Sequence, residues 1–125
     1  MTAEAIRTRI HLEMTEFFTR YDVLALPTTQ VAPFSIDVEY PMEIETANGT
    51  VGMTDYIDWM SSCCVITVTG CPTISVPAGF TRAGLPLGLQ LVAPVGEESR
   101  LLDIAQGYES ATGDLRRRPI VMGSN

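Results

Sequence analysis

The 125-residue chain contains no lysine. That absence removes every mechanism in which a lysine amine is the base, and with it any lysine-bearing phosphate loop. No G-x-G-x-x-G run occurs either, so Gly79 and Gly84 read as turn residues rather than a phosphate cradle. Positive charge is scarce: 8 arginines stand against 15 acidic residues, for a net charge of −7. Phosphate neutralisation dominates nucleic-acid affinity, so no nucleic-acid partner is expected. The one basic cluster, Arg116 to Arg118 beside Pro119, reads as a solvated tail. Three cysteines is an odd number and Cys63 adjoins Cys64, which does not suit a disulfide framework. A zinc site needs about four ligands at suitable spacing. Cys63, Cys64, Cys71 and the remote His11 do not offer that, so no metal or other cofactor is expected and the thiols read as reduced packing residues. No run approaches the roughly 20 apolar residues of a membrane span, and the first residues lack the apolar core of a secretory signal. The chain therefore reads as cytoplasmic, with no membrane partner.

What is present suffices for a folded domain. The apolar fraction is 46% and the charged fraction 18%, outside the range of disordered chains. One domain is expected over residues 1–118, with a frayed tail over 119–125. Thr2 to Arg20 reads as a helix, with Ile6, Ile10, Met14, Phe17 and Phe18 on one stripe and Thr2 as N-cap. Val23 to Leu26, apolar throughout and stopped by Pro27, reads as a strand buried on both faces. Residues 28–51 show no lasting period, although Asn48-Gly49 favours a tight turn with positive φ. Helical spacing returns from Thr54, a candidate N-cap, through Tyr56, Ile57, Met60 and Cys64, and Gly70 with Pro72 stops it. Thr73–Val76 and Leu87–Val92 read as strands joined by a loop turning on Gly79 and Gly84. The last helix opens at Gly96-Glu97-Glu98, carries Leu101, Leu102, Ala105, Tyr108 and Glu109, and ends at Gly113. The class is α/β, with about three helices and three or four strands.

The stretch Thr67 to Pro94, TVTGCPTISVPAGFTRAGLPLGLQLVAP, resembles the carboxy-terminal part of the amidase signature family, whose members carry a run close to TGxPxISVPxGF…GLPxGLQLV. The likeness continues outward. Asp22 to Thr28 is similar to the family's "DVLLTPT" strand, Thr54 to Gly70 to the helix before its "TG(L/H)P", and Glu97 to Glu109 to its "E..LL..A..YE" helix. The resemblance implies part of an α/β/α sandwich around a large mixed sheet, and amide C–N bond hydrolysis by complete members. In these a serine attacks the carbonyl, a second serine relays protons and a lysine acts as base.

This chain lacks that lysine and the Gly/Ser-rich nucleophile loop, so it is expected to supply scaffold without catalysing alone, and no catalytic residue is assigned. The doublet Ser61-Ser62 sits in a helical pattern without flanking glycines and matches the helix before "TG". The resemblance implies that the segment after the "PT" strand and this helix wall the substrate pocket. Thr28, Thr29, Asp55, Trp59 and Ser62 are the candidate substrate-binding residues, the last three along one helix side. Bland alternatives stand beside them: Trp59 as core and Asp55 as a helix-start carboxylate. In the amidotransferase subgroup an acidic residue near Asp55 or Asp58 contacts the substrate amine. Expected partners are a second copy, as a dimer or higher oligomer, or the missing amino-terminal catalytic portion. Other readings are a non-catalytic binding or scaffold protein, one component of a split amidase or amidotransferase, and an enzyme pairing His11 with a cysteine.

Overall fold

A computed structural model describes residues 2–115 of the chain. The run Arg116 to Arg118 and the tail 119–125, expected to be solvated and frayed, lie outside the described residues. The architecture is mixed α/β. In chain order it comprises α1 (Ala3–Phe17), β1 (Leu24–Pro27), β2 (Glu43–Thr46), β3 (Gly49–Gly52), α2 (Ser61–Thr69), β4 (Thr73–Phe80), β5 (Pro86–Val92) and α3 (Glu98–Ala111). Short 3-10 turns at Asp58–Met60 and Gly113–Leu115 complete it. The three helices and three apolar strands expected from sequence are all present, and a two-stranded ribbon adds to them.

Strands β1, β5 and β4 form an antiparallel sheet in that order, with β5 central. Alternation along β5 sends Leu89 and Leu91 to one face and Gln90 and Val92 to the other. The first face carries the core: Val76, Leu91 and Ala93 meet Leu101 and Ala105 of α3, flanked by Val23, Ile74, Leu89, Ile104 and Tyr108. Burying each such leucine contributes about 1.5–3 kcal/mol. The Tyr108 hydroxyl donates to the Pro77 carbonyl at 3.0 Å, fixing the end of α3 to β4. On the second face Val92 is fully buried, and the Gln90 amide donates to the Pro27 carbonyl at 3.2 Å, binding β1 to β5.

Several local expectations change. β1 is an edge strand, half-buried at alternate residues rather than enclosed on both faces; an edge position leaves Ala25 facing out. Residues 28–51 are not wholly irregular. Glu43–Thr46 pairs with Gly49–Gly52, and the positive φ of the turn falls on Gly49. α1 stops at Phe17 rather than Arg20, and its stripe is half-buried at Ile10, Met14, Phe17 and Phe18 but exposed at Ile6. Thr2 does cap it, accepting from the Ala5 N–H at 3.3 Å. Helix α2 begins at Ser61, not near Thr54, and ends as expected at Gly70, which takes the left-handed conformation (φ +73°) that glycine adopts without steric cost. Gly79 lies inside β4 beside a register shift, and the connecting turn is built on Gly84 alone. In α3, Leu102 is 59% exposed and Ile104 packs against the core in its place.

Candidate functional site

The loop after β1 is anchored by one side chain that sequence spacing does not single out. Gln30 donates through Nε2 to the Asp58 carbonyl at 2.9 Å and to Ser61 Oγ at 2.6 Å, and its Oε1 accepts from the Ser62 N–H at 2.9 Å. Ser62 Oγ then donates to the Thr28 carbonyl at 3.0 Å. The bond to Gln30 gives the Ser62 N–H, in the first turn of α2, a partner that the helix itself does not supply. Together these bonds commit both hydroxyls of the Ser61-Ser62 doublet. Beneath the loop, Thr28 Oγ1 and Ser75 Oγ share a hydrogen bond of 2.9 Å across Gly88. A Cβ at Gly88 would stand 2.7 Å from Thr28 Oγ1 and 3.0 Å from Ser75 Oγ, so any side chain there must displace the two hydroxyls.

The anchored loop closes one side of a cavity of about 350 Å³. Val31 and Phe34 line it from the loop, Trp59 from the 3-10 turn before α2, and Ala78, Leu87 and Leu89 from the facing ends of β4 and β5. Phe34 meets Trp59 edge-to-face with ring centroids 5.4 Å apart, and Tyr56 meets Trp59 likewise at 5.8 Å. Among the described residues no charged side chain contributes to the lining. The Trp59 indole N–H is buried without a hydrogen-bond partner, the one such side-chain atom among the described residues.

Of the candidate residues read from sequence, Thr29 and Trp59 line this cavity. Thr28 lies below it against Gly88, and Ser62 holds the loop from behind. Asp55 is outside the lining, where its Oδ1 accepts from the N–H groups of Ile57 and Asp58 at 2.7 and 3.2 Å. Asp55, Trp59 and Ser62 therefore do not share one helix side: they fall on a turn, a 3-10 turn and α2. Asp58 Oδ2 accepts from both the Thr54 hydroxyl and the Thr54 N–H at 2.7 Å. These hydrogen bonds hold the Asp58 carboxyl below its ordinary value, the side-chain bond contributing most. Thr54 is thus a donor to Asp58 and not the cap of α2. Val31, Phe34 and Leu87 were missed because they come from loops and strand ends that meet only in the fold.

A second groove, about 300 Å³, runs beside α1 and holds His11, Phe18 and Cys71. No hydrogen bond joins the imidazole to the thiol. All three cysteines are free thiols. Burial, and then the neighbouring Cys63, push the Cys64 thiol up. Among the described residues no three His, Cys, Asp or Glu side chains cluster to hold a metal, and no helix is long and apolar enough to cross a membrane.

Comparison with known proteins gives consistent results. The family model described as Amidase matches residues 1–102. A Glutamyl-tRNA(Gln) amidotransferase subunit from Brevibacillus brevis is 34% identical over 119 residues, which is 94% of this chain and 22% of that protein. The fatty acid amide hydrolase of Medicago truncatula is 32% identical across 100% of this chain and 20% of its own length. The solved 6-aminohexanoate cyclic dimer hydrolase superposes with a TM-score of 0.74 at 26% identity, covering 96% of this chain and 25% of that one. The chain thus spans about a fifth of the length of the curated relatives it matches.

Proposed function

Because the chain belongs to the amidase family, we propose that it is the carboxy-terminal part of an amide C–N bond hydrolase, supplying scaffold and one wall of the substrate pocket. One observation carries the proposal: the family match spans most of the chain, yet the chain contains no lysine. Without that base, nothing in it deprotonates an attacking serine. Ser61 and Ser62 are engaged in holding the loop after β1, which supports a scaffolding role for both. The catalytic groups then come from the remainder of the enzyme, either joined to this segment or carried on a separate chain. In this reading Thr29 and Trp59 face substrate, Thr28 and Ser62 keep the pocket wall in position, and Asp55 shapes the turn before α2. The partner is that lysine-bearing remainder or, in its absence, a second copy of the chain.

The purified chain is expected to hydrolyse neither aryl nor alkyl amides, while co-expression with the lysine-bearing remainder of an amidase restores hydrolysis. Turnover by the chain alone, abolished by substituting a residue within it, would overturn the proposal.

A further inference from the structure

We infer that the 350 Å³ pocket receives an uncharged apolar arm of the amide substrate, aryl or alkyl, and rejects an arm bearing an ammonium or a carboxylate. The inference rests on the reading of this chain as part of an amide hydrolase, and it concerns which amides that enzyme takes.

Three observations lead to it. Among the described residues the lining holds no charged side chain, so a charge entering it would lose its hydration with no counter-ion from them to replace it. Of the polar side chains that line it, Thr29 Oγ1 donates to the Val31 carbonyl at 3.0 Å and the Gln30 amide makes the three bonds described above. The unpartnered Trp59 indole N–H offers one uncharged donor, suited to an amide carbonyl. The acidic residues close in sequence to the lining, Asp37, Asp55 and Asp58, are outside it. Asp37 Oδ2 accepts from the Ser35 hydroxyl at 3.4 Å, and Asp55 and Asp58 each have a carboxylate oxygen that already accepts from two donors of its own turn. What the walls do offer is apolar area. Phe34 and Trp59, set edge-to-face, give a ring or alkyl chain an aromatic surface, and Val31, Leu87 and Leu89 enclose it. The volume has room for about a dozen non-hydrogen atoms, taking the roughly 30 Å³ share of a water in the liquid as the measure. That is within the range of small-ligand pockets.

Trp59 is the sole tryptophan, so its fluorescence and its single indole N–H resonance report on this wall alone. The test titrates the full chain with a matched pair, hexanamide and 6-aminohexanamide, which differ by one ammonium, together with acetanilide and glutamine. Hexanamide and acetanilide should perturb Trp59 saturably, with dissociation constants on the order of millimolar for ligands of this size. The ammonium-bearing amide and glutamine should bind at least about tenfold more weakly. Leu87→Asp adds a charge at the rim, at a residue already 36% exposed. It should weaken hexanamide binding at least about tenfold while circular dichroism stays unchanged. Equal or tighter binding of 6-aminohexanamide or glutamine, no response to any neutral amide, or undiminished binding by a folded L87D chain would each overturn the inference. The two readings fail separately: amide turnover by the chain alone counts against its role as an incomplete hydrolase, whereas failed binding by an inert chain counts only against the neutral arm.

Discussion

On one side of the sheet, α3 lays Leu101 and Ala105 against Leu91 and Ala93, and all four are buried. α2 is nine residues, Ser61–Thr69, without a single charge, yet only Ile66 and Thr69 are buried, while Val65 is 61% exposed and Val68 faces out as well. A helix that bears no charge on any face and turns Val65 and Val68 outward has the make-up of an interior element. The α3 side has a polar outer face and a completed core. The α2 side has the composition of an interior element with only part of its cover in place, supplied by α1, which packs against it. The contrast teaches that the segment contains both a finished surface and a surface shaped for something further, in keeping with a chain that spans about a fifth of its relatives.

The largest test of that contrast compares truncations on the two sides. Leu91→Ala or Leu101→Ala should cost about 2–5 kcal/mol in urea unfolding, whereas Val65→Ala should stay within about 0.5 kcal/mol. Equal losses would erase the distinction. Next in size is Gly88→Ala, which forces a Cβ against the Thr28 and Ser75 hydroxyls. It should cost about 1–3 kcal/mol, and Thr28→Ala in the same chain should restore part of it because the two sites are in contact.

The smallest effect concerns the turn leading to α2. Hydrogen bonds from Thr54 depress the Asp58 carboxyl in the folded state. A depressed carboxyl contributes stability that is fully present above the unfolded value of about 3.9 and is lost as pH falls through the lower folded value. Asp58→Asn should therefore flatten the acid limb of stability below about pH 4 by lowering the plateau above it, with little change at the acid end. A wild-type acid limb identical to that of D58N would remove Asp58 from the account.

Much of the fold was legible because its apolar runs are bounded by residues with fixed conformational roles. Gly70 and Pro72 mark the end of α2, Thr2 marks the start of α1, and β4, β5 and α3 follow from their runs. The β2–β3 ribbon was not legible, since Glu43–Thr46 and Gly49–Gly52 each carry one large apolar residue and their pairing is a matter of backbone and turn. Val23 to Leu26 misled because an apolar strand looks the same in sequence whether it ends at the centre of a sheet or at its edge. Of the candidates that the family resemblance proposed, Thr29 and Trp59 line the cavity. Gln30 stayed hidden because a lone glutamine has no spacing to announce it, and the pocket's remaining walls meet only through tertiary packing. Asp55 and Ser62 were grouped with Trp59 by a helical period that the chain does not keep before Ser61.

Native-state hydrogen exchange on the chain at low concentration tests the central contrast most directly. Amides of β5 and of α3 from Leu101 to Ala105 should exchange only through global unfolding, while those of α2 from Val65 to Val68 exchange at least about tenfold faster through local opening. Raising the concentration, or adding the lysine-bearing remainder of an amidase, should slow α2 selectively as its apolar face is covered. If α2 is as protected as α3 at the lowest concentration, and nothing added changes it, the α2 face is already complete and the account of this chain as a segment awaiting its cover is contradicted.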